Sequence, residues 1–311
     1  MAFVLGIDGG GSKTAAAVSN GVSVFSSHAA KGCNLNTVSS QDARAALAEA
    51  VHGAIAAADI TTNDIASVCA GIAGAASPEV AAKLAELLAG IMPRAAIRVV
   101  GDTVIALEAA FSGGPGVVCI SGTGSVAFGC NERGELTRAG GWGRMVSDEG
   151  SGHWIGQRAV AKCLRAMDQG RSSQLVTGIM KHWRIVTREQ LVQRCHREPI
   201  PNFADLFPIV LAVAEAGDPI ASEILNAAAI ELARITQVVL RRLWIGHSIQ
   251  QVAITGSVFA NSPRVRHVFG NIIHVDRPEV HIRLCKQQPV EGALQMAWKA
   301  LPGESTQVVA S

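Results

Sequence analysis

Near the amino end, Asp8 is followed by Gly9, Gly10 and Gly11 and then by Ser12, Lys13 and Thr14, a combination suited to phosphate chemistry. Glycines let backbone approach an anion closely, the hydroxyls can donate hydrogen bonds, and the carboxylate can hold a hydrated Mg2+ ion. The spacing is not that of a Walker A loop, nor does a G-x-G-x-x-G open a helix here. Taken alone, the run suits a tight hairpin turn as well as a phosphate cradle. A second copy, Ser121-Gly122-Thr123-Gly124-Ser125, stands at the corresponding place in the second half of the chain and favours the cradle. Two such hairpins, one per domain and facing each other, would clamp a nucleotide.

The elements that must position these turns are readable from periodicity. The apolar stretches before Asp8 and before Ser121 predict strands, each leading through its glycine turn into a second strand, and the second of these closes a hairpin through Asn131-Glu132-Arg133-Gly134. Leu47, Val51 and Ile55 recur at the spacing of one helical face, and Ser77-Pro78-Glu79 starts a further helix that Gly90 ends. Ile65 to Ala70 and Ile97 to Val100 are expected to be buried strands. Asp218-Pro219 opens a long helix carrying Ile220, Ile224, Ala228, Leu232, Ile235, Val239 and Leu243 on one stripe, and Val252 to Ile254 leads as a strand into Thr255-Gly256-Ser257. Alternation of strands and helices predicts an α/β fold. Gly113-Gly114-Pro115-Gly116 marks a boundary, giving domains 1–112 and 113–289, with a last helix at 290–303 packing back on the first.

A chain of 311 residues, 49% hydrophobic, can bury two cores. Its formal charge of +2 implies no nucleic-acid partner. No signal peptide is expected, and no run reaches the roughly 18 apolar residues of a membrane span, so the expectation is a cytoplasmic protein without a membrane partner. Seven scattered cysteines without a C-x-x-C pair predict free thiols and no thiolate-bound metal.

Asp8 to Thr14, Ser121 to Ser125 and Thr255 to Val258 resemble the first phosphate, second phosphate and adenosine motifs of the actin-like ATPase superfamily. The run from Gly140 to Gly156, with Gly140-Gly141-Trp142-Gly143 and Asp148-Glu149-Gly150-Ser151, resembles the BadF/BadG/BcrA/BcrD ATPase family in its N-acetylglucosamine kinase branch. The resemblance implies two actin-like (ribonuclease H-like) domains facing across an ATP/sugar cleft, assembled as a homodimer. It implies ATP with Mg2+ held through water by Asp8, and an amino-sugar acceptor, N-acetylglucosamine phosphorylated at its C6 hydroxyl. Residue by residue, Asp8, Gly9, Gly10, Gly11, Ser12, Lys13, Thr14, Ser121, Gly122, Thr123, Gly124, Ala214, Gly256 and Ser257 would contact the nucleotide. Asn34, Asp102, Ser125, Gly141, Trp142, Gly143 and Asp148 would contact the sugar, with Asp102 as general base. A carboxylate within reach of a sugar hydroxyl can orient it and take its proton during phosphoryl transfer.

Plainer roles compete for several of these residues. Asp102 and Asp148 would both serve as helix N-caps, Asn34 as a turn residue, Trp142 as core, and Asp218 explains itself as a helix start. Thr255 replaces a glycine more usual in the adenosine motif, and Asn36 stands where eukaryotic members carry an aromatic, which leaves glucosamine or a muramic-acid-type sugar open as acceptor. An ATPase activator of an acyl-CoA dehydratase or reductase would need cluster-ligating thiolates, for which only Cys119 and Cys130 flank a hairpin.

Overall fold

A computed structural model describes residues 2–21, 23–244 and 250–301. The chain forms two units, one built from the residues up to Gly114 together with those from Lys286 onward, the other from Pro115–Cys285. The breaks fall after Gly114 and Cys285 rather than after residues 112 and 289.

The first unit contains β1 (Phe3–Gly9), β2 (Lys13–Ser19), β3 (Val24–Lys31), α1 (Ser40–Ala57), β4 (Ile65–Ile72), α2 (Pro78–Ala89), β5 (Ala96–Val100) and α3 (Asp102–Phe111). Its five strands run in the order β3-β2-β1-β4-β5; the β1–β2 and β2–β3 pairs are antiparallel, and β1–β4 and β4–β5 are parallel. Strand alternation sends Leu5 and Ile7 of β1 into a core shared with Leu47 and Val51 of α1, while Val4 meets the opposite face. Ser39 caps α1, its hydroxyl accepting from the Asp42 N–H at 3.1 Å. One expectation fails at β5, whose residues are half-buried or exposed rather than core, because the strand lies at the sheet edge with a neighbour on one side only.

The second unit contains β6 (Gly116–Ser121), β7 (Ser125–Cys130), β8 (Leu136–Gly140), α4 (Gly152–Asp168), α5 (Gln174–Trp183), α6 (Arg188–His196), α7 (Phe207–Glu215), α8 (Pro219–Leu243), β9 (Gln251–Thr255), α9 (Ser257–Asn261), α10 (Pro263–Asp276) and β10 (His281–Leu284). Read from β8, its sheet order is β8-β7-β6-β9-β10, with two antiparallel pairs followed by two parallel ones. The topology of the first unit is therefore repeated strand for strand. Along α8 the expected stripe is buried at Ile224, Ala228, Leu232, Val239 and Leu243, with Ile220 and Ile235 half-buried at its margin.

The last helix, α11 (Pro289–Lys299), belongs to the first unit, where Ala293, Leu294, Met296 and Ala297 pack with Val4, Ala17, Cys69 and Ile105. A Cβ on Gly6 would lie 2.7 Å from the Val290 carbonyl oxygen, so glycine in β1 is what lets α11 lie this close to the sheet. Residues 302 and 303 of the expected helix lie outside the described residues. Among the described residues, no helix is long and apolar enough to cross a membrane.

Candidate active site

In the first unit the turn between β1 and β2 closes with the Gly10 N–H donating to the Lys13 carbonyl at 2.8 Å. Two neighbouring loops are bonded onto it: the Cys33 N–H donates to the Gly10 carbonyl at 3.1 Å, and the Ala73 N–H to that of Gly9 at 2.7 Å. A Cβ on Gly32 would lie 2.3 Å from the Gly11 carbonyl oxygen, and one on Gly9 would lie 2.5 Å from Cys33 Sγ. The loop bearing Asn34 is thereby seated directly on the glycine turn. Asn34 itself forms an Asx turn, Oδ1 accepting from the Asn36 N–H at 2.9 Å. Strand alternation leaves Lys13 exposed and turns Thr14 inward, where its hydroxyl donates to the Lys31 carbonyl at 2.7 Å. The Thr14 hydroxyl, read from sequence as a phosphate donor, is thus committed to β3.

Asp8 lies near the carboxyl end of β1, and Asp102 is the first residue of α3, just beyond β5. Both sit at carboxyl ends of parallel strands, where reactive groups of α/β sheets gather. Burial, and next the negative charge of Asp102, push the Asp8 carboxyl up from its ordinary 3.8 to about 6, while Lys13 pulls it down. Asp102 lies inside the helix rather than at its cap, which is Gly101, and its Oδ1 accepts from the Thr103 N–H at 3.0 Å. A helix N-terminus is a favourable place for a carboxylate.

The second hairpin is assembled differently. Ser121 Oγ donates to the Gly150 carbonyl at 2.9 Å and Ser125 Oγ to that of Glu149 at 2.8 Å. Backbone bonds run the other way, from the Gly152 N–H to the Gly122 carbonyl at 2.8 Å and from the His153 N–H to that of Thr123 at 3.3 Å. Both serine hydroxyls, read from sequence as ligand contacts, tie the hairpin to the loop before α4. Gly256 completes the group: a Cβ there would stand 2.3 Å from the Ser121 carbonyl oxygen, and its φ of 97° and ψ of 164° belong to a region only glycine occupies readily. Ser257, exposed, follows as the first residue of α9.

Asp148 is buried, with 7% of its surface accessible, in a left-handed turn at φ 69°. It does not cap α4, because Ser151 does, accepting from the Trp154 N–H at 3.2 Å. A Cβ on Gly124 would lie 2.8 Å from Asp148 Oδ2, so the hairpin glycine makes room for the carboxylate. Burial first, and the Glu149 charge, raise the Asp148 carboxyl; the Gly143 and Ser125 N–H groups and Arg138 lower it. Trp142 is 64% exposed and therefore not core. Of the remaining sequence candidates, Ala214 is buried in α7 among the core of its unit, and Asp218 caps α8 by accepting from the Ala221 N–H at 3.0 Å. His153 is buried edge-to-face on Phe203 at 5.3 Å, and burial together with Arg144 lowers its pKa.

The second unit therefore brings together Ser121, Gly122, Gly124, Ser125, Asp148 and Gly256, and the first unit Asp8, Gly9, Gly10, Lys13, Asn34 and Asp102. Sequence reasoning passed over Gly32 and Cys33, whose fit against the turn has no local signature, and over Arg138. For Arg138 a signal existed, since an arginine stands four residues before an aromatic flanked by glycines.

A model of the BadF/BadG/BcrA/BcrD ATPase family matches residues 5–297. The chain is 28% identical over 301 residues, covering 96% of it and 98% of the relative, to the N-acetylmuramic acid/N-acetylglucosamine kinase of Clostridium acetobutylicum. It is 30% identical over 256 residues, 77% of this chain and 79% of the relative, to the N-acetyl-D-glucosamine kinase of Dictyostelium discoideum. The solved structure of a Chromobacterium violaceum protein, proposed to be an N-acetylglucosamine kinase, superposes with a TM-score of 0.79 at 23% identity, covering 96% of this chain and 99% of that one; it shares the fold. With the match of the family model running over nearly its whole length, the chain belongs to the BadF/BadG/BcrA/BcrD ATPase family.

Proposed function

We propose that this protein is an ATP-dependent amino-sugar kinase that transfers the γ-phosphoryl group to the C6 hydroxyl of N-acetylglucosamine or a close N-acylated relative. The observation that carries the reading is the placement of Asp8 and Asp102 at the carboxyl ends of strands of one sheet beside the Gly9–Thr14 turn, where the charge of Asp102 opposes ionisation of Asp8. In this reading Asp102 orients the acceptor hydroxyl and takes its proton as the oxygen bonds to phosphorus and the bond to ADP breaks. The backbone of the two glycine turns holds the phosphates, while Trp142 and Asp148 hold the sugar ring by apolar contact and hydrogen bonding. The two family relatives above, both kinases of N-acetylated amino sugars, support the choice of acceptor.

The first unit's donor set fits a hydrated magnesium ion. Asp8 is a hard oxygen donor whose charge is opposed by burial and by Asp102, which is the imbalance a divalent cation relieves. When bound, magnesium neutralises charge on the phosphates being transferred. Cluster-driven electron activation gains no support from Cys119, which is fully buried with its thiol pushed up to about 12 by burial.

The test is ADP release measured over a panel of N-acetylglucosamine, N-acetylmuramic acid, glucosamine and glucose. Turnover that requires an N-acylated amino sugar supports the reading. ATP hydrolysis indifferent to every sugar would overturn it.

A further inference from the structure

Arg138 lies in β8, outside the motifs and outside the proposed chemistry. Its guanidinium carbon lies 4.3 Å from the centroid of the Trp142 ring. Nη2 donates to the Gly140 carbonyl at 3.2 Å and also to the Gly141 carbonyl. The residue is itself anchored, because Arg138 pairs with Phe128 across the β7–β8 ladder and its carbonyl accepts from Arg242 Nη1 at 3.3 Å. Nε is buried with no partner among the described residues, so the flat face and Nη2 make the contacts seen here.

Trp142 needs such an anchor. It stands between Gly141 and Gly143, both at positive φ, and a Cβ built on Gly143 would meet nothing within 4 Å. An indole on a loop of this kind has several rotamers open to it unless something selects one. Arg138 covers one face by cation–π stacking and leaves the side chain 64% exposed. The same charge acts on Asp148, lowering its carboxyl.

We propose that Arg138 is a positioning residue for acceptor binding: it clamps the Gly140 and Gly141 carbonyls and stacks on Trp142, fixing the indole so that its open face meets the sugar ring. This rests on the kinase reading. An arginine suits the role because Nη2 bonds both carbonyls while the planar guanidinium face stacks on the indole, and a lysine ammonium has no such face.

The test combines Arg138→Ala, Arg138→Lys and Trp142→Ala with the double variant Arg138→Ala/Trp142→Ala. In Arg138→Ala the acceptor KM is expected to rise about tenfold, from loss of the stack and the carbonyl bonds, while the ATP KM and kcat stay within about twofold. Arg138→Lys should fall between, and the double variant should be no worse than Trp142→Ala alone. Equal rises in both KM values, or additive losses in the double variant, would overturn the proposal. A readout independent of turnover is acrylamide quenching of the Trp142 emission, isolated by subtracting the Trp142→Phe variant. Quenching should increase in Arg138→Ala, and unchanged quenching refutes the clamp. If the wild-type protein phosphorylates no amino sugar, the kinase reading fails, and the quenching result still decides whether Arg138 holds Trp142.

Discussion

The two glycine hairpins occupy equivalent positions in units of identical strand topology, yet they are built from different interactions. The first is held by backbone fit, with the Cys33 and Ala73 N–H groups on its carbonyls and Gly32 pressed against Gly11. The second adds side chains to backbone, with the Ser121 and Ser125 hydroxyls on the carbonyls of residues 150 and 149 and the Gly152 and His153 N–H groups on those of residues 122 and 123. Charge is divided as unevenly. The first unit places two interacting carboxylates beside its turn, while the strand end of the second carries Ser121, a neutral residue. Duplicated topology thus carries an acidic turn in one unit and, in the other, a turn whose two serine hydroxyls already donate to backbone carbonyls.

The largest expected effect breaks the second hairpin at Gly256. Gly256→Ala introduces a Cβ 2.3 Å from the Ser121 carbonyl at a backbone conformation alanine resists. Strain and overpacking together should cost about 3–5 kcal/mol in urea unfolding. Gly122→Ala is the control, since a Cβ there meets nothing within 4 Å. It should leave stability within about 0.5 kcal/mol while weakening ATP binding, because the added methyl occupies the phosphate approach.

Next in size is the electrostatic cost in the first unit. Asp8 binds its proton more tightly folded than unfolded, at about 6 against 3.8, so its contribution to stability is complete at acid pH and is lost as pH rises through about 6. At about pH 8 and without metal, Asp8→Asn should therefore stabilise the protein by about 3 kcal/mol, converting the shift at roughly 1.4 kcal/mol per unit. The gain should vanish below about pH 4, as urea titrations across this range would show. A gain independent of pH would contradict the charge asymmetry. The same variant should lose most of its activity.

A smaller effect separates the two modes of support. Ser125→Ala leaves the Glu149 carbonyl without its donor and should cost about 1–2 kcal/mol. If the serine acts by holding the Asp148 loop, the acceptor KM rises and the ATP KM does not. A rise in the ATP KM instead would count against that loop-holding role.

Much of this architecture was legible in the sequence because it is local. Glycine turns between apolar runs located both hairpins, and the four-residue spacing of Ile224, Ala228 and Leu232 located the buried face of α8. Less was legible where partners are distant in sequence. Nothing near Ser121 or Ser125 indicates that their hydroxyls meet carbonyls 29 and 24 residues away. Asp148 followed by Glu149 suits a helix start, but the left-handed turn at Asp148 moves the cap to Ser151. The half-exposure of β5 depends on its place in the sheet order, which periodicity does not carry. Glycine turns are local and were readable, whereas the supports of the loop bearing Asp148 are tertiary bonds and were not.

The central claim is that Asp102 takes the acceptor proton. Its most direct test is single-turnover phosphoryl transfer by Asp102→Asn, with acceptor and ATP binding followed by calorimetry on the same protein. The account predicts binding close to wild type and a transfer rate lower by about a hundredfold or more, the usual scale of a lost general base. Transfer within about threefold of wild type, with binding intact, would contradict it.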